Sequence, residues 1–437
     1  MLIQELVLEP FRKFARVSRP HYPMMNLAPT RLIAVGFWLA TMVCAQTLSA
    51  QSVSQPENQV ESKSDSRVTR VDEPTLRDFD PRPALNVAAT DLQQARFSVI
   101  DIHTHFGLRL KGDRDALAKY VRTMDDHQIA VSISLDAKLG SEEDHLKFIG
   151  KNYEKRIAAF CHLDFLGDGD RNNPATWASS QPGFVRTCVE QLRLAKANGI
   201  LGLKFFNSFG LSHKNADGTL IKIDDPRFDP IWKTCGELGM PVIIHTADPV
   251  AFFQPIDANN ERWEELSRHP DWSFYGDQYP SRDELLAARN HVIARHPQTT
   301  FIGAHMANNS EDLAIVSQWL DKYPNLVIEF ASRINELGRQ PYTARKFFIK
   351  YQNRILFGTD GPWPELRLTY YWRFLETWDE YFPYSEKSPQ PQGMWRIYGI
   401  GLPDEVLKKI YHENAIRVIP GLGDRFRKAT GQKDDSK

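Results

Sequence analysis

One pattern recurs between residues 99 and 360: a short apolar run closes on polar residues, and a longer amphipathic stretch follows. Eight such runs are legible, at 99–103, 129–135, 156–164, 200–206, 240–245, 299–305, 326–331 and 354–360. MPVIIH, TTFIGAH and RILFGTD are nearly continuous in hydrophobic residues. That is what strands buried on both faces require. The stretches between them carry helical spacing and punctuation. Residues 184–198 run to Gly199 and 230–238 run to Gly239, as helices should stop. Ser310 stands as a cap before 311–322. Residues 115–127, 282–295, 343–351, 367–382 and 404–419 read as further helices. Strands alternating with helices imply parallel crossovers. The simplest closed arrangement of eight such units is a (β/α)8 barrel of TIM type. A doubly wound open sheet is the rival, but no Gly-rich phosphate loop follows the first run. The chain exceeds the usual barrel length. The excess falls at 247–281, an insertion after strand five, and at 384–402, in a C-terminal helical extension.

The first run reads V-I-D-I-H-T-H-F-G from Val99 to Gly107. Side chains alternate along a strand, so His103 and His105 are expected on one face, with Asp101. Two imidazoles on one face can grip a divalent metal from one side. The same run also reads as a surface strand with two unrelated histidines. Other polar groups close other strands: Lys204 in strand four, His245 on strand five, His305 on strand six and Asp360 on strand eight. In a barrel these C-terminal ends meet at one mouth, where active sites are built. Their common register favours a metal site over a scatter of unrelated side chains.

H-T-H after strand one, the strand-five His before T-A-D-P, G-A-H on strand six and G-T-D on strand eight together resemble the amidohydrolase superfamily. The nearer resemblance is to the amidohydrolase-related branch that includes aminocarboxymuconate semialdehyde decarboxylase and related lactone hydrolases. E-N-A-I-R-V-I-P-G, from Glu413 to Gly421, looks like the closing helix of that branch. The resemblance implies that His103, His105 and His245 are metal ligands, with Asp360 as the fourth. It implies that His305 contacts a water or a substrate oxygen. It implies one divalent ion, with Zn²⁺ suited to three imidazoles and a carboxylate. Lys204 stays open: carbamylated and bridging a second metal, as in binuclear members, or in contact with an anionic substrate, or paired inside the barrel. The expected activity is hydrolysis of a small ester, lactone or amide. Non-oxidative decarboxylation of a small unsaturated or aromatic acid is the alternative on the same site. A catalytically silent ligand-binding barrel is the third reading, and the retained ligand-type residues argue against it.

The remaining features bound the partners. Net charge is −1 over 437 residues, so no bulk field favours nucleic acid or an anionic membrane. A small-molecule substrate is the expected partner. Arg31 and the apolar run LIAVGFWLATMVC at 32–44, followed by Ala45, Ser49 and Ala50, read as a secretory signal in region 1–50. The run is short for a membrane span, and a start at Met24 or Met25 would give an ordinary signal. Export to the periplasm or medium is therefore expected, with an uncleaved anchor as the other reading. Residues 51–95 lack apolar periodicity and read as a disordered linker, 96–425 as the barrel, and 426–437 as a flexible tail. Cys161, Cys188 and Cys235 lack paired spacing and read as buried free thiols. Arg109 and Arg333 lie beyond strands one and seven, within reach of a carboxylate. Trp363 reads as a substrate wall or rim packing, the aromatic insertion after strand five as a lid or a cap, and His162 as a residue beyond the first contacts. His127, His145 and His213 read as surface or helix residues.

Overall fold

The computed structural model describes residues 73–75, 78–79 and 81–432. The chain divides into a unit of residues 9–85 and a unit of 86–437 with 1–8. Of the first, the described part is a short exposed stretch in which Thr75 Oγ1 donates to Asp78. The apolar run 32–44 and linker residues 51–72 lie outside the described residues. The second unit is described over residues 86–432 and contains the barrel.

The strands are β1 (Val99–Thr104), β2 (Ile129–Lys138), β3 (Ile157–His162), β4 (Gly202–Phe205), β5 (Val242–Ile244), β6 (Phe301–Gly303), β7 (Leu326–Glu329) and β8 (Ile355–Leu356). They form one eight-stranded sheet in sequence order, every neighbour parallel. The ring closes because β1 also meets the segment after β8. The Ile102 N–H donates to the Phe357 carbonyl at 3.0 Å, Asp360 N–H to His103 at 2.8 Å, and His105 N–H to Gly361 at 2.7 Å. The fold is therefore a TIM barrel, as the alternation predicts. Neighbouring residues along the strands pack into separate clusters. Leu203, Val242, Phe301, Ile328 and Ile355 pack with helix residues, whereas Ile243, Ile302, Val327 and Leu356 pack with one another. That two-fold alternation separates the helix layer from the barrel interior.

Helices lie at Arg114–Asp126, Phe184–Ala197, Asp229–Glu237, Arg282–Arg295, Leu313–Lys322, Pro341–Lys350 and Glu365–Glu376, near their expected places. Several expectations are corrected. Asp312, not Ser310, caps Leu313–Lys322: its carboxylate accepts from Ala314 and Ile315 N–H at 3.0 and 3.1 Å. A helix at Glu142–Ile149 is additional to those expected. Its first turn is acidic, which suits a helix N-terminus, but its apolar residues are too few to announce it. The linker does not run free to residue 95. Thr90 donates its N–H and hydroxyl to Asp379, both at 2.7 Å, Arg96 N–H reaches Glu376, and Ala95 is buried. Residues 426–430 are not tail either. They end the helix Leu422–Thr430, whose Leu422 and Phe426 join the interior cluster with Ile100 and Val131.

The insertion after β5 is pinned rather than free. Arg262 is 1% exposed and ion-pairs with Glu265 at 2.7 Å and with Glu336, which lies beyond β7. Arg339 adds an ion pair to Glu261 at 3.0 Å. Removing one partner of such a buried pair costs about 3–5 kcal/mol, so these ion pairs tie the insertion to residues beyond β7. No helix of the described residues is long and apolar enough to cross a membrane.

Candidate metal centre

β1 delivers His103 and His105 to the barrel mouth, both almost fully buried. Their Nε2 atoms stand 3.2 Å apart. Asp360 Oδ1 lies 3.4 Å from His105 Nε2 and 3.8 Å from His103 Nε2. Donors bound tetrahedrally at ~2.0–2.1 Å would sit about 3.3 Å from one another. The three atoms thus have the spacing of ligands around one small cation. The other ring nitrogens fix the chemistry. His103 Nδ1 contacts Glu329 at 2.8 Å and His105 Nδ1 contacts Asp136 at 2.6 Å. Glu329 also accepts backbone N–H from His305 and Ala331, and Asp136 accepts from Leu108. Both carboxylates are acceptors, so each imidazole carries its proton on Nδ1. Two Nε2 lone pairs then face each other, an arrangement a cation relieves. Burial, reinforced by Lys204, holds the His103 pKa well below the usual imidazole value, so its ligating neutral form persists. Burial raises the pKa of Asp136, but its contact with His105 and the N–H of Leu108 outweigh it and hold the carboxyl below its ordinary value.

Asp360 sits at φ 64°, in the left-handed region, just after the seam with β1. Burial opposes its ionisation, but Arg109 and the imidazoles of His103 and His105 win and keep its carboxyl well below the usual range. Its second oxygen accepts from Ser332 Oγ at 3.2 Å. Asp101 does not join the cluster. Its carboxylate accepts N–H from His103 and Thr359 and the Thr359 hydroxyl, so it is spent on the seam. A register shift in the β1–β2 pairing between Asp101 and Thr104 accompanies this departure from simple alternation.

Lys204 is 1% exposed, with Nζ 3.5 Å from His103 Nε2. Burial lowers its pKa to about 8, against the pull of Glu329 and Asp360. His245 is placed differently from the expectation that groups it with His103 and His105. Its Nε2 turns to Asp248 Oδ1 at 3.3 Å, because the turn through Ala247, at φ 63°, carries Asp248 back beside it. Among the described residues the compact ligand sets are His103–His105–Asp360 and His103–His305–Glu329, and His245 is in neither. Its ring still packs on His305, centroids 4.6 Å apart.

The sequence places His305 at the end of a strand, but it opens a left-handed turn instead: His305, Met306, Ala307 and Asn308 have φ of 55°, 61°, 51° and 54°. Each such non-glycine residue costs about 1–2 kcal/mol. Groups from neighbouring elements hold the turn in place. Glu329 accepts the His305 N–H at 2.8 Å, Arg289 Nη1 donates to the Ala307 carbonyl at 2.6 Å, and Arg282 donates to the Asn308 carbonyl. His305 Nδ1 meets the Ala331 carbonyl at 2.8 Å, so Nδ1 carries the proton and Nε2 is an acceptor. Burial, with His245 and Arg333 beside it, keeps the ring neutral well below its ordinary pKa.

Sequence reasoning missed Glu329 and Asp136, the residues that orient the two β1 histidines. An acid inside the apolar run LVIEF and another ending SISLD were the available signals. Arg333 is buried and donates to the Ser332 carbonyl. Arg109 stacks on Trp363, whose indole N–H donates to Thr359 O at 2.7 Å, so Trp363 is braced at the rim. His162 packs edge-on against Phe206, centroids 5.5 Å apart. His127 and His145 are buried rather than on the surface. His127 accepts from Trp372 Nε1 at 3.2 Å, and His145 lies against Gly107.

Three comparisons bear on kinship. A search of curated proteins finds no match. An uncharacterized TIM-barrel protein from Bordetella bronchiseptica is similar at 14% identity and TM-score 0.44, covering 75% of this chain and 99% of its own. A 2,6-dihydroxybenzoate decarboxylase from Rhizobium matches at 17% identity and TM-score 0.44, over 74% of this chain and 98% of its own. A dihydroxybenzoic acid decarboxylase from Polaromonas sp. with bound manganese matches at 16% identity and TM-score 0.43, over 74% and 96%. The Amidohydrolase family model matches residues 100–421, nearly the whole barrel, and the chain belongs to that family.

Proposed function

We propose that the chain is a metal-dependent hydrolase acting on a small ester, lactone or amide. The observation that carries this reading is the pair of Nε2 atoms 3.2 Å apart, each imidazole tied through Nδ1 to a buried carboxylate. Carboxylate–histidine–metal relays have this form. His103, His105 and Asp360, with His245 beside them, would hold one divalent ion. Zn²⁺ suits that donor set. Such an ion would lower the pKa of a water and polarise a carbonyl. His305 Nε2 accepts the proton of the attacking water, while its Nδ1–H is anchored on Ala331. Asp360 Oδ2, steadied by Ser332, accepts a hydrogen bond that orients that water, and the proton His305 takes from it is the one passed to the leaving group. Lys204 contacts a substrate oxygen from the barrel floor. The apolar run ahead of the barrel supports export of the mature chain.

The test pairs metal analysis of purified protein with a screen of lactones, esters and aromatic or unsaturated acids. About one divalent ion per chain and turnover that places ¹⁸O from water in the product carboxylate are expected. Release of carbon dioxide without that label would replace hydrolysis by decarboxylation. Two ions per chain, with a carbamate on Lys204, would replace the one-metal site.

A further inference from the structure

Arg109 stands on the helical turn Phe106–Leu110, four residues after His105. Its side chain is 10% exposed. Its guanidinium carbon lies 4.2 Å from the centroid of Trp363, and that of Arg367 lies 3.8 Å from the same ring. Both guanidinium groups thus pack against the same indole. The ring cannot swing away, because Nε1 is bonded to Thr359 O. Arg109 therefore presents a fixed edge. Its Nε and Nη2 atoms are buried and have no hydrogen-bond partner. These are the two nitrogens of the side-on edge, which takes a carboxylate through two parallel bonds. Asp360 Oδ1 is the near charge, but at 3.5 Å from Nη2 it balances the cation without satisfying that edge.

We propose that Arg109 is the receptor for a carboxylate carried by the substrate. The proposal rests on the active site described above and narrows its substrates to acids that bear a carboxylate beside the reacting group. Leaving two charged N–H groups buried and unbonded is costly, and a carboxylate satisfies both at once. A neutral amide or ester offers acceptors without the countercharge. Arg367, packed against the same indole, adds positive potential beside Arg109.

Benzoate and benzamide, which share a shape and differ in charge, are suitable probes. Their binding to metal-loaded protein is measured by calorimetry for wild type, Arg109→Met and Arg109→Lys, with metal content and melting temperature alongside. Wild type should prefer benzoate. Arg109→Met should weaken benzoate about 10- to 100-fold and leave benzamide unchanged. Arg109→Lys keeps the charge but loses the paired edge, so it should weaken benzoate several-fold at full metal content. Benzoate affinity unchanged in both variants overturns the proposal, as does wild type that binds no benzoate. Should Arg109→Met lose its metal or melt early, Arg109→Lys decides: unchanged benzoate binding there makes Arg109 only the charge partner of Asp360. Wild type without bound metal would withdraw the active-site reading instead. The Arg109 comparison then stands on its own, since the chain alone forms this edge.

Discussion

Glu329→Gln separates a ligand-orienting role from a merely structural one. The carboxylate is fully buried and takes three donors: His103 Nδ1–H and His305 N–H on Oε1, both at 2.8 Å, and Ala331 N–H on Oε2. An amide of the same shape has one acceptor oxygen. In its better orientation that oxygen keeps His103 and His305, and the NH₂ faces the Ala331 N–H, which is stranded. A stranded buried donor costs about 1–3 kcal/mol, and two charge-assisted bonds become neutral ones at a loss of roughly 0.5–2 kcal/mol each. The sum is about 2–7 kcal/mol against stability, before relaxation. Because the partner of His103 Nδ1 becomes neutral and Nε2 less basic, metal affinity should fall about 10- to 100-fold. Thermal unfolding of metal-free protein reads the first effect. Competition against a chromophoric chelator reads the second. A destabilised Glu329→Gln protein that holds metal with wild-type affinity would refute the reasoning and reduce Glu329 to a brace between β6 and β7.

Three further outcomes are expected. His103→Ala should abolish tight metal binding, whereas His245→Ala should weaken it less, since His245 stands outside the compact ligand set. Equal metal content in His103→Ala and wild type would defeat that assignment. His305→Gln should keep its metal and lose about 10²-fold or more in turnover, read from steady-state rates beside metal analysis. His213, stacked on Phe165 with centroids 4.2 Å apart, has its pKa lowered to about 4 by burial. The unfolded chain, with an imidazole pKa near ~6.5, binds more protons between those values. Its stabilising contribution is therefore full above ~6.5 and is lost as pH falls toward 4. His213→Phe should melt closer to wild type, or above it, at about pH 4.5 than at about pH 8, and a constant difference across that range would contradict this.

The barrel architecture is legible along the chain. Apolar runs too continuous for one-sided sheets, separated by helices with Gly stops, admit little besides a closed parallel ring, and the strand-end histidines and Asp360 mark its mouth. Those signals are local, and local spacing survives in one dimension. Tertiary structure alone decided what the polar groups do. Asp101 has the right alternation for the site but is taken by Thr359, 258 residues away. His245 has the right position but turns to Asp248. Glu329 and Asp136 matter only because β7 and β2 bring them to the far nitrogens of the β1 histidines. The left-handed turn under His305 has no glycine to announce it, and buried Arg289 and half-buried Arg282, from another helix, hold it. Hydrogen-bond partners are chosen by proximity across the barrel, and backbone strain is tolerated only where distant contacts repay it. Neither is a property of neighbouring residues in sequence, so neither could be read there.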